Sequence, residues 1–288
     1  MKRLLWLVCI VPAMGWSQTI KFRKYRKGEH FLYQLTTEST RNNQPDIKTI
    51  SVSSHTVIED SAGNLAEQIK WIGKKSITTK DTLRLDSVAK KVPAYLLSLL
   101  PGAQLKIPPL SIPEMTGEIT DLNTFYTAVS PALHIQRLGP NYLSFRDSVL
   151  KGNFADHQQI LAGEDCIEVT QKLLVRDNDV IIVETSFLPP SYTGITPLID
   201  TIGKQLFNVP NNFQMVRRGA ENKVNLLWGV EQFIITSTLD NRTGQLLKAE
   251  MINQLSLRMR YNSSEDLKTY EAEIPLTIRR VLHLELLK

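Results

Sequence analysis

From Leu247 to Tyr261 the chain reads LKAEMINQLSLRMRY, and every odd position but Asn253 is apolar or aromatic. The even positions are mostly polar: Lys248, Glu250, Gln254, Ser256, Arg258 and Arg260. Side chains of a strand alternate between its two faces, so this stretch predicts a strand with one oily and one wet face. Fifteen residues at ~3.4 Å each span about 50 Å, far beyond the ~5–6 residues of an ordinary strand. A strand that long belongs to a strongly bent sheet, and one-sided alternation marks the sheet as antiparallel.

The same period of two runs through both ends of the chain. Phe31, Tyr33, Leu35 and Thr37 alternate, the loop RNNQPD follows, and a second run centres on Ile50 and Val52. SAGN (Ser61 to Asn64) is a turn, after which Leu65, Ile69 and Trp71 share one face of a third run, completing an N-terminal meander. Further on, CIEVTQKLLV and VIIVETSFL flank RDND, a hairpin turn. Val224, Leu226, Trp228 and Val230 alternate, and the phase then slips by one to Phe233, Ile235 and Leu239. That slip predicts a β-bulge with Gly229 as its hinge. The last strand sets Tyr270, Ala272, Ile274, Leu276, Ile278, Leu282, Leu284 and Leu286 on one face.

The middle of the chain has a different period. Ala89 to Gly102 reads as a short apolar helix ended by Pro101-Gly102, and KIPPLSIPEMTG is too proline-rich for a central strand. Asp121 to Leu133 predicts a second helix with Asp121 as N-cap, and Thr196 to Phe207 a third, with Leu198, Ile199, Ile202 and Leu206 on one stripe. The expected fold is mainly β: a long-stranded, strongly curved antiparallel sheet, a half-barrel with two or three helices on its concave side. It forms one β-rich domain over 18–288, with a helical and proline-rich insertion about 89–135.

The hairpin LDNRTGQLLKAEM, a D-x-x-T-G-x-L turn between long strands, together with this order of elements, resembles the LolA-like superfamily of periplasmic lipoprotein carriers. The resemblance covers most of the chain. It implies an incomplete barrel around a hydrophobic cavity, helices as its lid, and binding or transfer of a lipid or acyl chain. No site residue follows from it.

The first residues, MKRLLWLVCIVPAMGWSQ, have the anatomy of a cleaved export signal. Lys2 and Arg3 precede an apolar run from Leu4 to Met14, and Gly15 and Ser17 are small residues that place cleavage between Ser17 and Gln18. The run is short of the ~20 residues that span a bilayer. Val8, directly before Cys9, does not fit a lipobox. The expected product is periplasmic or extracellular, soluble after cleavage, with no transmembrane segment. It keeps one cysteine, Cys166, and so no internal disulfide. Glu164 and Asp165 precede that thiol and oppose thiolate formation.

The formal charge of +5 falls to +3 without Lys2 and Arg3, too mild and dispersed for nucleic acid. The one basic run, FRKYRK (Phe22 to Lys27), reads as a solvated, frayed arm. Motifs for zinc proteases, paired thiols, serine hydrolases and phosphate-cradling loops are all missing. His30, His55, His134, His157 and His283 have no metal-ligand spacing, so neither metal nor cofactor is expected.

Arg280 is the one charge on the even face between Tyr270 and Leu286. Facing an apolar cavity it needs a partner, a ligand headgroup or a lid; a bulge at Arg279-Arg280 would instead turn it to solvent. Leu247, Met251, Leu255, Leu257 and Met259, with Trp228, are the expected ligand wall. Ser61, Thr82, Ser87, Ser148 and Thr201 each follow an Asp and precede an apolar residue. Composition alone gives about one such triplet, and the pattern resembles an O-glycosylation acceptor motif of exported bacterial proteins. Ordinary turn composition is the alternative. The expected function is a non-enzymatic exported protein holding a lipid or acyl chain. The alternative is a structural or interaction module of the cell envelope without a small-molecule ligand.

Overall fold

A computed structural model describes residues 20–103, 108, 111–133, 143–146, 158–160, 168–187, 213–218, 223–264 and 268–287. Its strands are β1 (His30–Arg41), β2 (Gln44–Glu59), β3 (Leu65–Ile77), β4 (Thr82–Arg84), β5 (Tyr95–Leu97), β6 (Leu143–Arg146) and β7 (Gln158–Ile160). They continue as β8 (Glu168–Arg176), β9 (Val180–Phe187), β10 (Phe213–Arg218), β11 (Val224–Asp240), β12 (Leu246–Ser263) and β13 (Ala272–Leu287). The helices are α1 (Asp86–Ala89) and α2 (Thr116–Ala128). All strands join one antiparallel sheet, whose continuous path is β4-β3-β2-β1-β13-β12-β11-β9-β8-β6. The two ends of the path do not pair among the described residues, so the sheet is open, as a half-barrel requires.

One helix demonstrates the curvature. Tyr126 of α2 meets His55 and Glu67 of β2 and β3, while the carbonyl of Ala128, two residues on, accepts from Gln171 of β8 and Thr185 of β9. In a flat sheet β3 and β8, seven strand spacings apart along the path, would be separated by ~34 Å. The sheet therefore wraps around α2, and the face touching it is concave. This agrees with the expected mainly β, half-barrel class.

Odd positions of β1, β2, β11 and β12 and even positions of β13 face inward, as cross-strand pairs such as Tyr33↔Ser53, Tyr33↔Leu286, Met251↔Leu282 and Ile235↔Met251 require. In β2 this inverts the sequence reading. Ser51, Ser53 and His55 are buried, while Ile50 and Val52 turn to the other face. The loop RNNQPD shrinks to a two-residue turn, with Asn42 and Asn43 both at positive φ as a tight hairpin needs.

Several expectations need correction. Only Asp86–Ala89 is helical where a helix over 89–102 was expected, because Pro93 cannot continue it and Tyr95–Leu97 pairs with β3. Helix α2 begins five residues before Asp121, which is therefore an interior, buried helix residue and no N-cap. The Thr196–Phe207 helix lies outside the described residues. No bulge occurs at Gly229: β11 keeps one register with β12 from Leu226 to Thr238. The phase slip is real, because the apolar stripe of β11 crosses faces there. Gly229 does take φ +150°, and an added Cβ would stand 2.2 Å from the Ser256 carbonyl oxygen.

The basic arm is not frayed. Ile20 and Arg23 are buried, Lys24 N donates to Thr243 O at 2.7 Å, and the Tyr25 hydroxyl accepts from Leu99 N at 3.0 Å. The Arg23 guanidinium pairs with Glu29 at 3.0 Å and lies over the Tyr25 ring. Carboxylate and aromatic partners hold a charge that the sequence alone would leave in water. The neighbouring DNRTG turn is a local cage: Asp240 Oδ1 accepts from the backbone of Arg242 and Thr243 and from the Thr243 hydroxyl.

Candidate functional site

The concave wall carries two apolar clusters. The larger packs around α2: Ile119, Leu122, Phe125 and Tyr126 meet Leu35, Trp71, Ile235, Met251, Leu282 and Leu284. The smaller gathers Phe213, Leu227, Leu255, Leu257 and Leu276, with Met259 and Ile278 against it. Along β12, Asn253 lies between Met251 of the first cluster and Leu255 of the second.

Asn253 belongs to a charged crossing between them. It pairs in register with Arg280 of β13, and its Nδ2 donates to Glu231 Oε1 of β11 at 2.7 Å. The Arg280 guanidinium donates to Asp121 of α2; the acid is buried and the guanidinium keeps about a quarter of its side-chain surface exposed (25 %). Burial pushes the carboxyls of Asp121 and Glu231 above the usual range, against the pull of Arg280. Burial opposes the Arg280 charge in turn, and the neighbouring carboxylates, Asp121 first and then Glu231 and Glu118, together outweigh that.

Two more polar contacts hold α2. Lys74 Nζ reaches Glu118 at 2.6 Å with both side chains buried, and also the Glu114 carbonyl. At the other end, Gln171 Nε2 (2.7 Å) and Thr185 Oγ1 (3.2 Å) donate to the Ala128 carbonyl, giving partners to a helix-terminal oxygen that would otherwise be orphaned. The helix lies in the concavity through an ion pair at each of two positions and a hydrogen-bonded tyrosine.

That tyrosine caps the third polar assembly. Ser53 Oγ lies 2.9 Å from His55 Nε2, and His55 Nδ1 lies 2.9 Å from Glu67 Oε2. The Tyr126 hydroxyl donates to the same Glu67 oxygen at 2.5 Å, and Arg23 Nε stands 4.0 Å from Glu67 Oε1. Phe31, Tyr33 and Tyr126 surround the imidazole, and Ser53, His55 and Glu67 are all at most 2 % exposed. Burial, then the Glu67 charge, raises the pKa of Tyr25, Tyr33 and Tyr126, so all three hydroxyls stay protonated.

The residues expected at the site fare unevenly. Met251, Leu255, Leu257 and Met259 do face inward, but in two different clusters. Arg280 faces inward with no bulge, since β13 keeps one register against both β12 and β1; its partner is the helix. Leu247 is the extra residue where the register passes from Thr238↔Lys248 to Leu239↔Leu246; it is half-buried, and Leu246 takes the core position. Trp228 is buried on the opposite face from Leu227, with the Arg260 guanidinium 5.2 Å from its ring. Asp121, Glu231 and the Ser53–His55–Glu67 assembly escaped sequence reading. The only hint was the tripeptide Ser-Ser-His inside an otherwise ordinary strand.

Among the described residues no cluster of His, Cys, Asp and Glu suits a metal ion, and no helix is long and apolar enough to cross a membrane. Ser61, Thr82 and Ser87 are exposed; Ser148, Thr201 and Cys166 lie outside the described residues. No family model and no curated protein matches the chain. Among solved structures, it is similar to OmpT, an in-vitro folded outer membrane protein of Vibrio cholerae in trimer form. That similarity has 10% identity over 91% of this chain and 100% of that one, at a TM-score of 0.15, too low to carry any argument.

Proposed function

We propose that this is an exported protein that holds an apolar ligand, a lipid or acyl chain, against the concave face of its sheet. The carrying observation is the division of that face: one apolar cluster is filled by α2, and a second, around Leu255, Leu257 and Met259, lies beyond the Asp121–Arg280–Glu231 crossing. An apolar wall with a charged crossing at its margin suits a chain-plus-headgroup ligand. The resemblance to LolA-like carriers assigns the helix a lid role, and the position of α2 supports it. Arg280 is then the lid contact, released when α2 withdraws.

Mass spectrometry of organic extracts from the purified protein tests this. Co-purified lipid, reduced in Arg280→Leu with the fold retained, is the expected result. A clean extract and no stabilisation by added fatty acids overturn it. The opposing reading, an envelope interaction module without ligand, is favoured by the thoroughness with which Ile119, Leu122, Phe125 and Tyr126 fill the first cluster; the clean extract would support it.

Export and O-glycosylation belong to the same proposal. Asp60, Asp81 and Asp86 accept hydrogen bonds from the backbone of Ala62, Thr82 and Lys74 respectively, which explains the acids as turn and loop residues. It leaves the exposed hydroxyls of Ser61, Thr82 and Ser87 without such a role, in contrast to the caged Thr243. Protein from the native host should begin at Gln18 and exceed the polypeptide mass of residues 18–288. A mass equal to the polypeptide removes the glycans and leaves export standing.

A further inference from the structure

We propose that Ser53, His55 and Glu67 form a nucleophile–base–acid triad that transfers the acyl group of an ester or thioester onto Ser53. The two contacts, Ser53 Oγ to His55 Nε2 and His55 Nδ1 to Glu67 Oε2, are each 2.9 Å, and such triads are recognised by geometry, whatever their order in the chain. The Glu67 carboxylate accepts a hydrogen bond from Nδ1–H and so fixes the tautomer that leaves Nε2 free to take the serine proton. Tyr126 and Arg23 hold Glu67 in place from two other sides.

A second observation lies on the same stripe. Ser51 Oγ and Thr37 Oγ1 are buried on the same concave face with no hydrogen-bond partner among the described residues. Ser51 is one pleat repeat from Ser53, about 7 Å along β2, and Thr37 lies on the adjoining strand opposite Thr49. A buried hydroxyl left unpaired is disfavoured. A polar group of a substrate lying along this stripe, away from the carbonyl held at Ser53, gives these donors an acceptor. Leu35, Leu282 and Leu284, the apolar neighbours of this stripe, suit an acyl chain.

In the step itself, Ser53 Oγ adds to the carbonyl carbon while its proton passes to His55 Nε2. The C–O or C–S bond to the leaving group breaks, and the alcohol or thiol departs with that proton. Water, activated by the same imidazole, then releases the carboxylic acid and restores Ser53. Tyr126 and α2 close the site, so the substrate enters when the Asp121–Arg280 contact opens.

The test is an alkyl fluorophosphonate incubated with the full mature chain, followed by peptide mass mapping. One adduct on Ser53, absent in Ser53→Ala, is expected, and Asp121→Asn should accelerate its formation. Glu67 acts as a positioning residue: Glu67→Gln should slow labelling by about 10²–10⁴-fold and move the rising limb of its pH profile to lower pH, which a purely structural loss does not do. Absence of a Ser53 adduct in both wild type and Asp121→Asn, each with native circular dichroism, overturns the triad. The proposal rests on the apolar-ligand reading only for its acyl chain. Lipid without an adduct removes the triad and leaves carriage, and an adduct without lipid does the reverse.

Discussion

Strands β2 and β12 are both long, 16 and 18 residues, and both turn their odd positions to the same concavity. From β12 come Ala249, Met251, Leu255, Leu257 and Met259; from β2 come Thr49, Ser51, Ser53 and His55. The apolar face is held by area and shape, which tolerate variation. The polar face is held by directional contacts in a setting without water, where each unpaired group is costly. The two halves of one wall should therefore fail in different ways.

The largest effect should come from the acceptor on which the polar half converges. Glu67→Ala strips His55 and Tyr126 of their shared acceptor and leaves Arg23 with less compensation, all within the core. A loss of about 3–5 kcal/mol is expected in urea unfolding. On β12, Met251→Ala removes a buried apolar side chain at about 2–3 kcal/mol, and Met251→Leu should cost under about 1.5 kcal/mol. If Met251→Ala proved the more damaging of the two alanine variants, the contrast between the halves would be reversed.

The charged crossing between the clusters offers an intermediate test. Asp121→Asn keeps the shape but leaves Arg280 without its counter-charge. Because burial holds the Asp121 carboxyl above the usual range and the guanidinium is about a quarter exposed, relief of the buried acid offsets much of the lost ion pair, and a change within about 1 kcal/mol is expected. Glu231→Gln should gain more clearly. Raised folded-state values for Asp121 and Glu231 mean that their contribution to stability is full below the ordinary carboxylate range and is lost as pH rises through the raised values. The variant still accepts from Asn253 yet cannot ionise, so it should match wild type in acid and exceed it at neutral pH. Thermal melts across pH decide this: a Glu231→Gln advantage that grows toward acid would contradict the sign.

The same contrast explains what could be read from the sequence. Strand length, antiparallel pairing and the inward face of β12 follow from alternation, because apolar residues on a half-wet strand have one place to go. The face of β2 did not follow, since Ile50 and Val52 outrank Ser51 and Ser53 on any hydrophobic scale. Its orientation is set by tertiary partners contributed by β3, α2 and the arm at Arg23. Arg280 was legible as an inward charge needing a partner; Asp121 was not, 159 residues away and resembling a helix cap. The stripe of β11 was read correctly as a phase change but misassigned to a bulge. An apolar pattern that crosses faces looks the same as an inserted residue until the partner strand is known.

The smallest expected effect is the most discriminating. Thr37 and Ser51 hold hydroxyls in the core with no partner among the described residues. Thr37→Val replaces the hydroxyl by a methyl group of nearly the same shape, removing an unsatisfied group without opening a cavity. If nothing occupies the space beside these hydroxyls in solution, the variant should gain about 1 kcal/mol in urea unfolding. A bound ligand whose polar group pairs with Thr37 would cancel that gain and turn it into a loss, to be recovered after organic extraction of the protein. The sign of this one difference, measured before and after extraction, separates a polar wall built for a ligand from one that only encloses a helix.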